Sequence, residues 1–504
     1  MLRNPVRWAE ILIPLLAFGV RLVPGPRTID DAYITFRYAR NLLDGHGLVF
    51  NSGEAVLGTT TPLYALLLSA LGLPFGGPEA PFPVMALLVS AAADAVTALI
   101  LIRLGRRLGS TAAGVATALI WAIHPWSVTF AIGGMETSLF IALLSATFYL
   151  HLTGQPILAA GTGGLALITR PDALIFLLPI FIDRMLVTLR NEENTRRIGW
   201  QEAAAFGVPV GLWLAFSTLA FDSPIPQSVF AKAVAYELPP GAGLVRLLQH
   251  YATPFSWNEI VGTVWIAIGL ILYPTLFVLG ALFAVRTTSR AWPLFVYPWL
   301  YLLAYSIANP LIFRWYLVPP LPLYILGIFL GGARLSRDLK HWFPLALLTL
   351  LGLIGSLSAW TLRPDHGPTR PAPEMAFIQL ELLYEQAAEQ LSEVIQPGEV
   401  LAAADIGTLG YHSPGEIFDL LGLISPKAST YYPLPESAYA INYAVPSELV
   451  ADVRPEFIVI LEVYGRNTLL KDDQFRLDYE LLSELRTEIY GSDGLLIFRR
   501  TEPG

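Results

Sequence analysis

The chain contains no cysteine, which excludes disulfides, thiol nucleophiles and cysteine-held metals. Charge is also scarce. Asp, Glu, Lys and Arg make up 14% of the 504 residues and apolar residues 54%, against a charged share of about 25% in ordinary soluble domains. A chain of this composition reads as a polytopic α-helical membrane protein. It has no phosphate-cradling glycine loop, no Gly-x-Ser-x-Gly elbow and no pair of zinc ligands at helical spacing, so the chemistries those motifs carry have no support. The net charge is −8, with most of the acids after residue 361, which argues against a nucleic-acid partner.

Long apolar stretches are abundant. Spans of about 17–25 residues are expected at 8–23, 82–102, 111–131, 136–153, 172–189, 203–221, 258–285, 291–308, 315–333 and 342–360, with a shorter one at 156–170. The first, with Arg3 and Arg7 before it, reads as a retained helix, not a cleaved signal peptide. The stretch 61–75 is apolar but short, and the positive-inside rule decides its placement. If it lies along the interface, the clusters Arg103/Arg106/Arg107, Arg184/Arg190/Arg196/Arg197, Arg286/Arg290 and Arg334/Arg337/Lys340 all share the side of Arg3 and Arg7. The expectation is therefore about eleven transmembrane helices, with a cytoplasmic N-terminus and everything after residue 361 outside. In domain terms this gives a membrane domain at 1–362, including a first extracytoplasmic loop at 24–60 and an interfacial helix at 61–75. A Pro-rich linker at 363–373 and a soluble extracytoplasmic α/β domain at 374–504 follow. The α/β domain should begin with an amphipathic helix over 374–395. Short strands follow at 399–404, 416–421, 457–462 and 495–499, with a helix at 446–452.

In this topology most of the unusual polar residues fall on one face: Asp30, Asp31, Arg37, His46, Glu54, Thr59 to Thr61, Glu136, Arg170, Asp172, Gln227, Lys232, His250 and Arg314. A transporter would keep such residues near the midplane. Asp94, inside its span, is the exception; it either pairs with Arg21 or faces a water-filled cavity. Carboxylates within reach of an alcohol can take its proton as it attacks, and guanidinium groups suit a phosphate leaving group. The combination fits transfer of a glycosyl group from a lipid-linked phosphate to a hydroxyl.

Within the pair, adjacent carboxylates titrate as a unit, so one is expected to have a raised pKa or to be neutralised by Arg37 or a divalent cation (Mg or Mn). One aspartate could instead cap the helix that starts there. His46, between two glycines, could touch phosphate or orient its loop; Arg170 and Arg314 could bind substrate or snorkel to headgroups. Glu136, at a helix start, is favoured there by the helix dipole whether or not it binds anything. The glycines of the loop 405–411 read chiefly as turn formers.

The run Asp30-Asp31-Ala32-Tyr33-Ile34-Thr35-Phe36-Arg37-Tyr38-Ala39-Arg40-Asn41-Leu42, followed by Gly45-His46-Gly47 and Gly53-Glu54, resembles the first extracytoplasmic loop of GT-C membrane glycosyltransferases, in particular the mycobacterial terminal arabinofuranosyltransferase group. Further pieces resemble the same group: Gly133-Gly134-Met135-Glu136-Thr137, Thr169-Arg170-Pro171-Asp172, Arg314-Trp315-Tyr316, Asp405-Ile406-Gly407-Thr408-Leu409-Gly410-Tyr411, and Asp419-Leu420-Leu421-Gly422-Leu423. The resemblance implies a polyprenyl-phosphate sugar donor, a cell-envelope glycan or lipid acceptor and a catalytic aspartate among Asp30 and Asp31. It further implies substrate contacts from Arg37, His46, Glu54, Thr60, Glu136, Arg170, Asp172, Arg314 and Tyr316. The competing expectations are a transporter or flippase of lipid-linked sugars, which would move the donor across a bilayer without forming product, and a receptor or assembly factor whose soluble tail binds a partner.

Overall fold

The computed structural model describes residues 5–189, 198–362, 369–396 and 398–501. Arg3, the basic residues Arg190, Arg196 and Arg197, and the 363–368 part of the expected linker lie outside the described residues. The protein is a mostly helical membrane protein with a C-terminal sheet. It divides into two compact units: residues 1–27, 84–213 and 240–377, and residues 28–83, 214–239 and 378–504.

Each expected span coincides with a helix or a helix pair. Among the described residues, Phe82–Arg107, Trp200–Phe221, Val264–Thr287, Ser289–Ala308 and Arg314–Asp338 are long and apolar enough to cross a membrane. Thr111–Ile123 and Pro125–Ile132 make a sixth if read as one span bent by 48°. The break falls at His124-Pro125, where the extended residue before proline ends one helix and proline starts the next. The other expected spans are the 18-residue helix Pro5–Leu22 and the shorter Thr137–Leu152, Pro156–Thr169, Leu174–Leu189 and Phe343–Ser358. These hold the remaining apolar stretches in fewer turns than a perpendicular crossing of about 20 residues requires.

In the first unit, glycines let two long helices meet backbone to backbone. A Cβ on Gly280 would lie 2.0 Å from the Gly327 carbonyl oxygen, and one on Gly331 would lie 2.0 Å from that of Leu276. Small residues at such crossings are the usual device where lipid gives no hydrophobic drive between helices. Asp94 is fully buried and pairs with Arg21 at 2.9 Å, with bonds from Trp121 Nε1 (3.1 Å) and Ser138 Oγ (3.1 Å). Of the two readings the sequence left for Asp94, this geometry realises the ion pair. A two-residue pairing of β1 (Trp360–Thr361) with β2 (Ala372–Pro373) closes the unit's last segment.

The second unit is built on a five-stranded sheet of β3 (Val400–Ala403), β4 (Glu416–Asp419), β5 (Phe457–Leu461), β6 (Tyr479–Arg486) and β7 (Gly494–Arg500), in the order β4-β3-β5-β7-β6. β3 runs parallel to β4 and β5, whereas β7 is antiparallel to both β5 and β6. The central β5 is buried at all five positions, as its unbroken Phe-Ile-Val-Ile-Leu run dictates. β6 was not expected from the sequence. It is an edge strand buried only at Tyr479 and exposed at Glu480, Leu481, Leu482, Glu484 and Arg486, interrupted by a bulge between Leu481 and Ser483, so its Tyr-Glu-Leu-Leu-Ser-Glu-Leu-Arg run carries no strong period-two signal. Around the sheet lie the helices Asp30–Leu43, Pro62–Gly72, Gln227–Ala235, Gln379–Ser392 and Gly407–His412.

Candidate functional site

The helix Asp30–Leu43 begins after Ile29, an extended residue that makes no side-chain cap. Asp30 and Asp31 therefore occupy its first two positions, where the exposed N–H groups favour negative charge. Asp30, Tyr33, Arg37 and Arg40 recur at helical spacing and form one stripe. This stripe meets the short helix Gly407–His412. The Asp30 carboxylate accepts the N–H groups of Thr408 on Oδ1 (2.7 Å) and Gly407 on Oδ2 (3.0 Å). Tyr33 packs against Tyr411 with ring centroids 5.1 Å apart, Arg37 donates to the Gly410 carbonyl, and Arg40 donates to that of Tyr411 at 2.8 Å. Asp30 thus caps a helix, but not the one it begins. It satisfies N–H groups of a segment more than 370 residues away in the chain.

The approach is close because two positions carry no side chain. A Cβ on Gly407 would sit 1.8 Å from the Asp30 carbonyl oxygen, and one on Gly410 would sit 2.6 Å from the Phe50 ring. Neither glycine has a positive φ. The reading of these glycines as turn formers is therefore corrected: they permit contact between two helices.

Behind this contact lies Asp405, at the head of a run that resembles the GT-C group but not among the expected site residues. Its Oδ2 accepts the Tyr384 hydroxyl at 2.5 Å, and Tyr464 supplies a second hydroxyl. Glu381 Oε1 accepts the Asp30 N–H at 3.2 Å. These residues explain why the helix Gln379–Ser392 buries Glu381 and Tyr384 together with Ala387, Ala388 and Leu391. Burial, followed by the charges of Asp405 and Asp31, pushes the Asp30 carboxyl up to about 7 against the opposing Thr408 N–H bond. Burial likewise raises Asp405 to about 6, opposed by the tyrosine hydroxyls. Burial thus raises both the Asp30 and the Asp405 carboxyls above the usual carboxylate range.

Asp31 lies about 100° around the helix from the stripe and has a different partner. Lys232, on the helix Gln227–Ala235, brings its Nζ to 3.5 Å from Asp31 Oδ2, with the two side chains 24% and 29% exposed. A long, part-exposed pair of this kind contributes about 0–1 kcal/mol. Backbone anchoring is firmer: Gln227 N donates to the Leu57 carbonyl (2.8 Å) and its Nε2 to that of Gly422 (3.3 Å). The Gly422 loop is in turn held by the buried Asp419, which accepts the N–H groups of Leu421 (2.9 Å), Ile424 (3.1 Å) and Leu423. Burial raises this carboxyl to about 6.

The remaining first-loop candidates have distinct surroundings. Arg37 directs its fork to the carbonyls of Phe50 (2.8 Å) and Gly410 and to Asn51 Oδ1 (3.2 Å), and among the described residues it bonds neither Asp30 nor Asp31. His46 is exposed, with Nε2 3.1 Å from Asp44 and Nδ1 3.1 Å from Ser52 Oγ. Glu54 is exposed and accepts Asn51 Nδ2 at 2.9 Å. Thr60 is half-buried between Thr59 and Thr61, whose hydroxyls are 3.2 Å apart.

Within the first unit, Glu136, Arg170, Asp172 and Tyr316 form one cluster, and Arg314 has partners of its own. Arg170 donates to Glu136 Oε1 at 2.9 Å and forks onto both oxygens of Asp172 at 3.0 and 3.1 Å. Its guanidinium lies over the Tyr316 ring at 5.2 Å, and the Tyr301 and Tyr305 hydroxyls approach Asp172 Oδ2 at 3.4 and 3.3 Å. Arg314 donates to the Met375 carbonyl at 2.7 Å and stacks over Phe377. In this network two carboxylates surround one buried guanidinium.

A divalent cation needs several oxygens with free lone pairs at one point. Here the oxygens of Asp30 face two N–H groups, Oδ2 of Asp405 faces a hydroxyl and Asp31 faces an ammonium. Among the described residues, no three His, Cys, Asp or Glu side chains are grouped to hold a metal ion. The donor set does not fit a Mg or Mn ion. Asp405, Glu381, Tyr384 and Tyr464 were missed as site residues. Asp405 and Tyr384 carried one usable signal, since the Asp30/Tyr33/Arg37/Arg40 stripe predicts that some polar segment must cover that face.

Residues 374–498 match a family model described as "Domain of unknown function (DUF8728)". A terminal β-(1→2)-arabinofuranosyltransferase from Mycobacterium tuberculosis is 31% identical over 177 residues, 34% of this chain. The match spans about a quarter of that relative's length (26%). An oligosaccharyltransferase from Archaeoglobus fulgidus has the same fold: TM-score 0.51 at 12% identity, covering 91% of this chain and 70% of the other. Its complex with an inhibitory peptide and a dolichol-phosphate gives a TM-score of 0.52 at 12% identity, covering 99% and 74%. The chain resembles the GT-C membrane glycosyltransferases, mycobacterial arabinosyltransferases among them.

Proposed function

We propose that this GT-C-like membrane protein is a glycosyltransferase, moving a sugar from a polyprenyl phosphate to a hydroxyl of a cell-envelope glycan or lipid at the outer face of the cytoplasmic membrane. The observation that carries the mechanism is the unequal use of the two aspartates. Asp30 has an N–H donor on each oxygen and caps a helix, whereas Asp31 faces a part-exposed lysine at 3.5 Å. Asp31 is thus the carboxylate available to take the acceptor's proton. As the acceptor oxygen bonds to the anomeric carbon, the bond from that carbon to the phosphate oxygen breaks. The electron pair leaves on polyprenyl phosphate, and the hydroxyl proton passes to Asp31. Asp30, Arg37 and Asp405 act on Asp31 through the packing they maintain. Exposed His46 and Glu54, with Thr60, are offered as contacts for the polar groups of the substrates. The Glu136/Arg170/Asp172 network with Tyr316 is assigned a positioning role, because its one guanidinium is already engaged by both carboxylates, and so is Arg314, which is engaged by the Met375 carbonyl. The partial likeness to an arabinofuranosyltransferase, and a fold that in one relative accompanies a bound dolichol-phosphate, support a lipid-phosphate donor.

The test is transfer of labelled sugar from lipid-linked donors in membranes containing the full chain. Asp31→Asn should lower turnover by about 10²–10⁴-fold, the usual worth of a general base, with the thermal midpoint held near that of the parent. Full activity in Asp31→Asn would refute this assignment of the base.

A further inference from the structure

Two helices of the second unit bury opposite kinds of residue. Gln379–Ser392 turns Tyr384, Ala387, Ala388 and Leu391 inward and exposes Gln379, Gln386, Glu389 and Ser392, with Leu382 as the one apolar exception. That is the pattern water imposes on an amphipathic helix. Gln227–Ala235 has the reverse pattern. Its inward side is polar or small: Ser228, Ala231 and Ala235 are buried, and Gln227 and Lys232 turn to partners within the unit. Its exposed side consists of Val229, Phe230, Ala233 and Val234, which at 100° per residue fall within about 140° of arc and carry no charge. Phe230 is 50% exposed, and Ile225, just before the helix, 47%. Water penalises apolar side chains turned outward over polar ones turned inward, whereas hydrocarbon favours that arrangement.

We propose that Gln227–Ala235 is docked on the lipid bilayer, with Val229, Phe230 and Val234 sunk into the boundary between head groups and acyl chains. Chain continuity supports a lipid surface as the occupant of this face. The helix follows Trp200–Phe221, which is long and apolar enough to cross a membrane and whose last turns expose Leu214 and Leu219. Only residues 222–226 separate the two helices. Fully extended, that connection would reach about 20 Å, but it is folded. Asp222 has a φ of 55°, and Ser223 Oγ donates to the Ile225 carbonyl (2.8 Å) and accepts the Ile225 N–H (3.2 Å). The second helix therefore starts near the end of the span. Gln227 N, on the Leu57 carbonyl at 2.8 Å, ties that start to the segment before Pro62–Gly72, another short helix with exposed leucines, Leu66 and Leu71. The docked face and the candidate site are two sides of one helix, since Lys232 Nζ lies 3.5 Å from Asp31 Oδ2. Docking then holds Asp31 at the depth of the head groups, where the phosphate of a lipid-linked donor lies. That consequence, though not the docking itself, rests on the glycosyl-transfer reading above.

Because the chain lacks cysteine, one introduced thiol reports one position. Val229→Cys and Val234→Cys are labelled with an environment-sensitive nitrobenzoxadiazole dye in the purified full-length protein, which is then reconstituted into phosphatidylcholine bilayers. Two quenchers are applied, a nitroxide near the top of the lipid acyl chain and aqueous iodide. Leu219→Cys, on the preceding span, marks lipid, and Ser437→Cys marks water; all four positions are exposed, so the substitutions leave the packing intact. Both helix labels should emit to the blue of the Ser437→Cys label, lose most of their emission to the nitroxide and resist iodide. A nitroxide near the end of the acyl chain should quench them less, because an interfacial helix sits only about 5–10 Å into the boundary between head groups and acyl chains. Iodide quenching equal to that at Ser437→Cys overturns the proposal. Shielding from both quenchers overturns it too, since that is the result of a second copy or another protein covering the face. Neither donor nor acceptor enters the measurement, so its failure leaves the transfer reading standing. Conversely, absence of sugar transfer by the parent would bring down that reading while lipid quenching still shows the docked helix.

Discussion

Asp30 and Asp31 are adjacent, yet one step along a helix turns a side chain by about 100°, and that rotation separates their surroundings. Asp30 falls on the stripe that receives the N–H groups of Gly407 and Thr408, and Asp31 falls beside Lys232. The sequence made the pair conspicuous as clustered charge next to an apolar span. It did not distinguish the two, because the partner that engages Asp30 lies near residue 407 and only the fold brings it there. The same contact has a measurable consequence with pH. Asp30 is raised to about 7 and Asp405 to about 6, chiefly by burial, whereas in the unfolded chain both should titrate near 4. Between about pH 4 and 7 the folded state therefore holds more protons than the unfolded one. The slope of stability against pH is then negative, and stability falls as pH rises through that window. The thermal midpoint of the purified protein, followed by intrinsic fluorescence, should be higher at pH 5.5 than at pH 8. The double variant Asp30→Asn/Asp405→Asn should show a flatter dependence; a slope equal to the parent's would mean that other groups carry the effect.

At the scale of elements, legibility follows the strength of the local signal. The apolar spans were readable because lipid demands long runs of one character. The strands Val400–Ala403, Glu416–Asp419, Phe457–Leu461 and Gly494–Arg500 were readable because β-branched and aromatic runs sit between turn residues. β6 was not, since a bulged edge strand with solvent-facing glutamates carries little hydrophobic pattern. Gly407 and Gly410 show a different limit. Glycine in a loop is ambiguous between a turn and a close approach, and only the neighbouring helix resolves it. Gly407→Ala would drive a methyl group into the backbone of Asp30, where the gap is 1.8 Å. Overpacking of this kind costs about 1–3 kcal/mol or more. We expect Gly407→Ala to lower the thermal midpoint, to expose 405–412 to limited proteolysis and to reduce transfer in parallel. A melting curve that overlays the parent's would show that the two helices do not depend on this contact.

For the whole molecule, the interfacial assignment of 61–75 and the outward face of the candidate residues both depend on one topology. The positive-inside rule gave it from charge alone. The helix Pro62–Gly72, with 11 residues, is too short to reach across a hydrocarbon core about 30 Å thick at 1.5 Å per residue. With the other expected spans all crossing, the proposed topology has the first loop and the C-terminal domain outside and the segment around Arg286 and Arg290 inside. The absence of cysteine makes this directly testable, because any introduced thiol is the single reactive one. Ser52, Ser289 and Ser437 are exposed positions at which a cysteine should be tolerated. In intact cells a membrane-impermeant maleimide should label Ser52→Cys and Ser437→Cys, and it should label Ser289→Cys only after permeabilisation. Labelling of Ser289→Cys from outside, with Ser52→Cys protected, would invert the topology and move Asp31 to the cytoplasmic face. A lipid-linked donor would then have no advantage over a soluble nucleotide sugar, so the mapping tests the proposed substrate class together with the orientation.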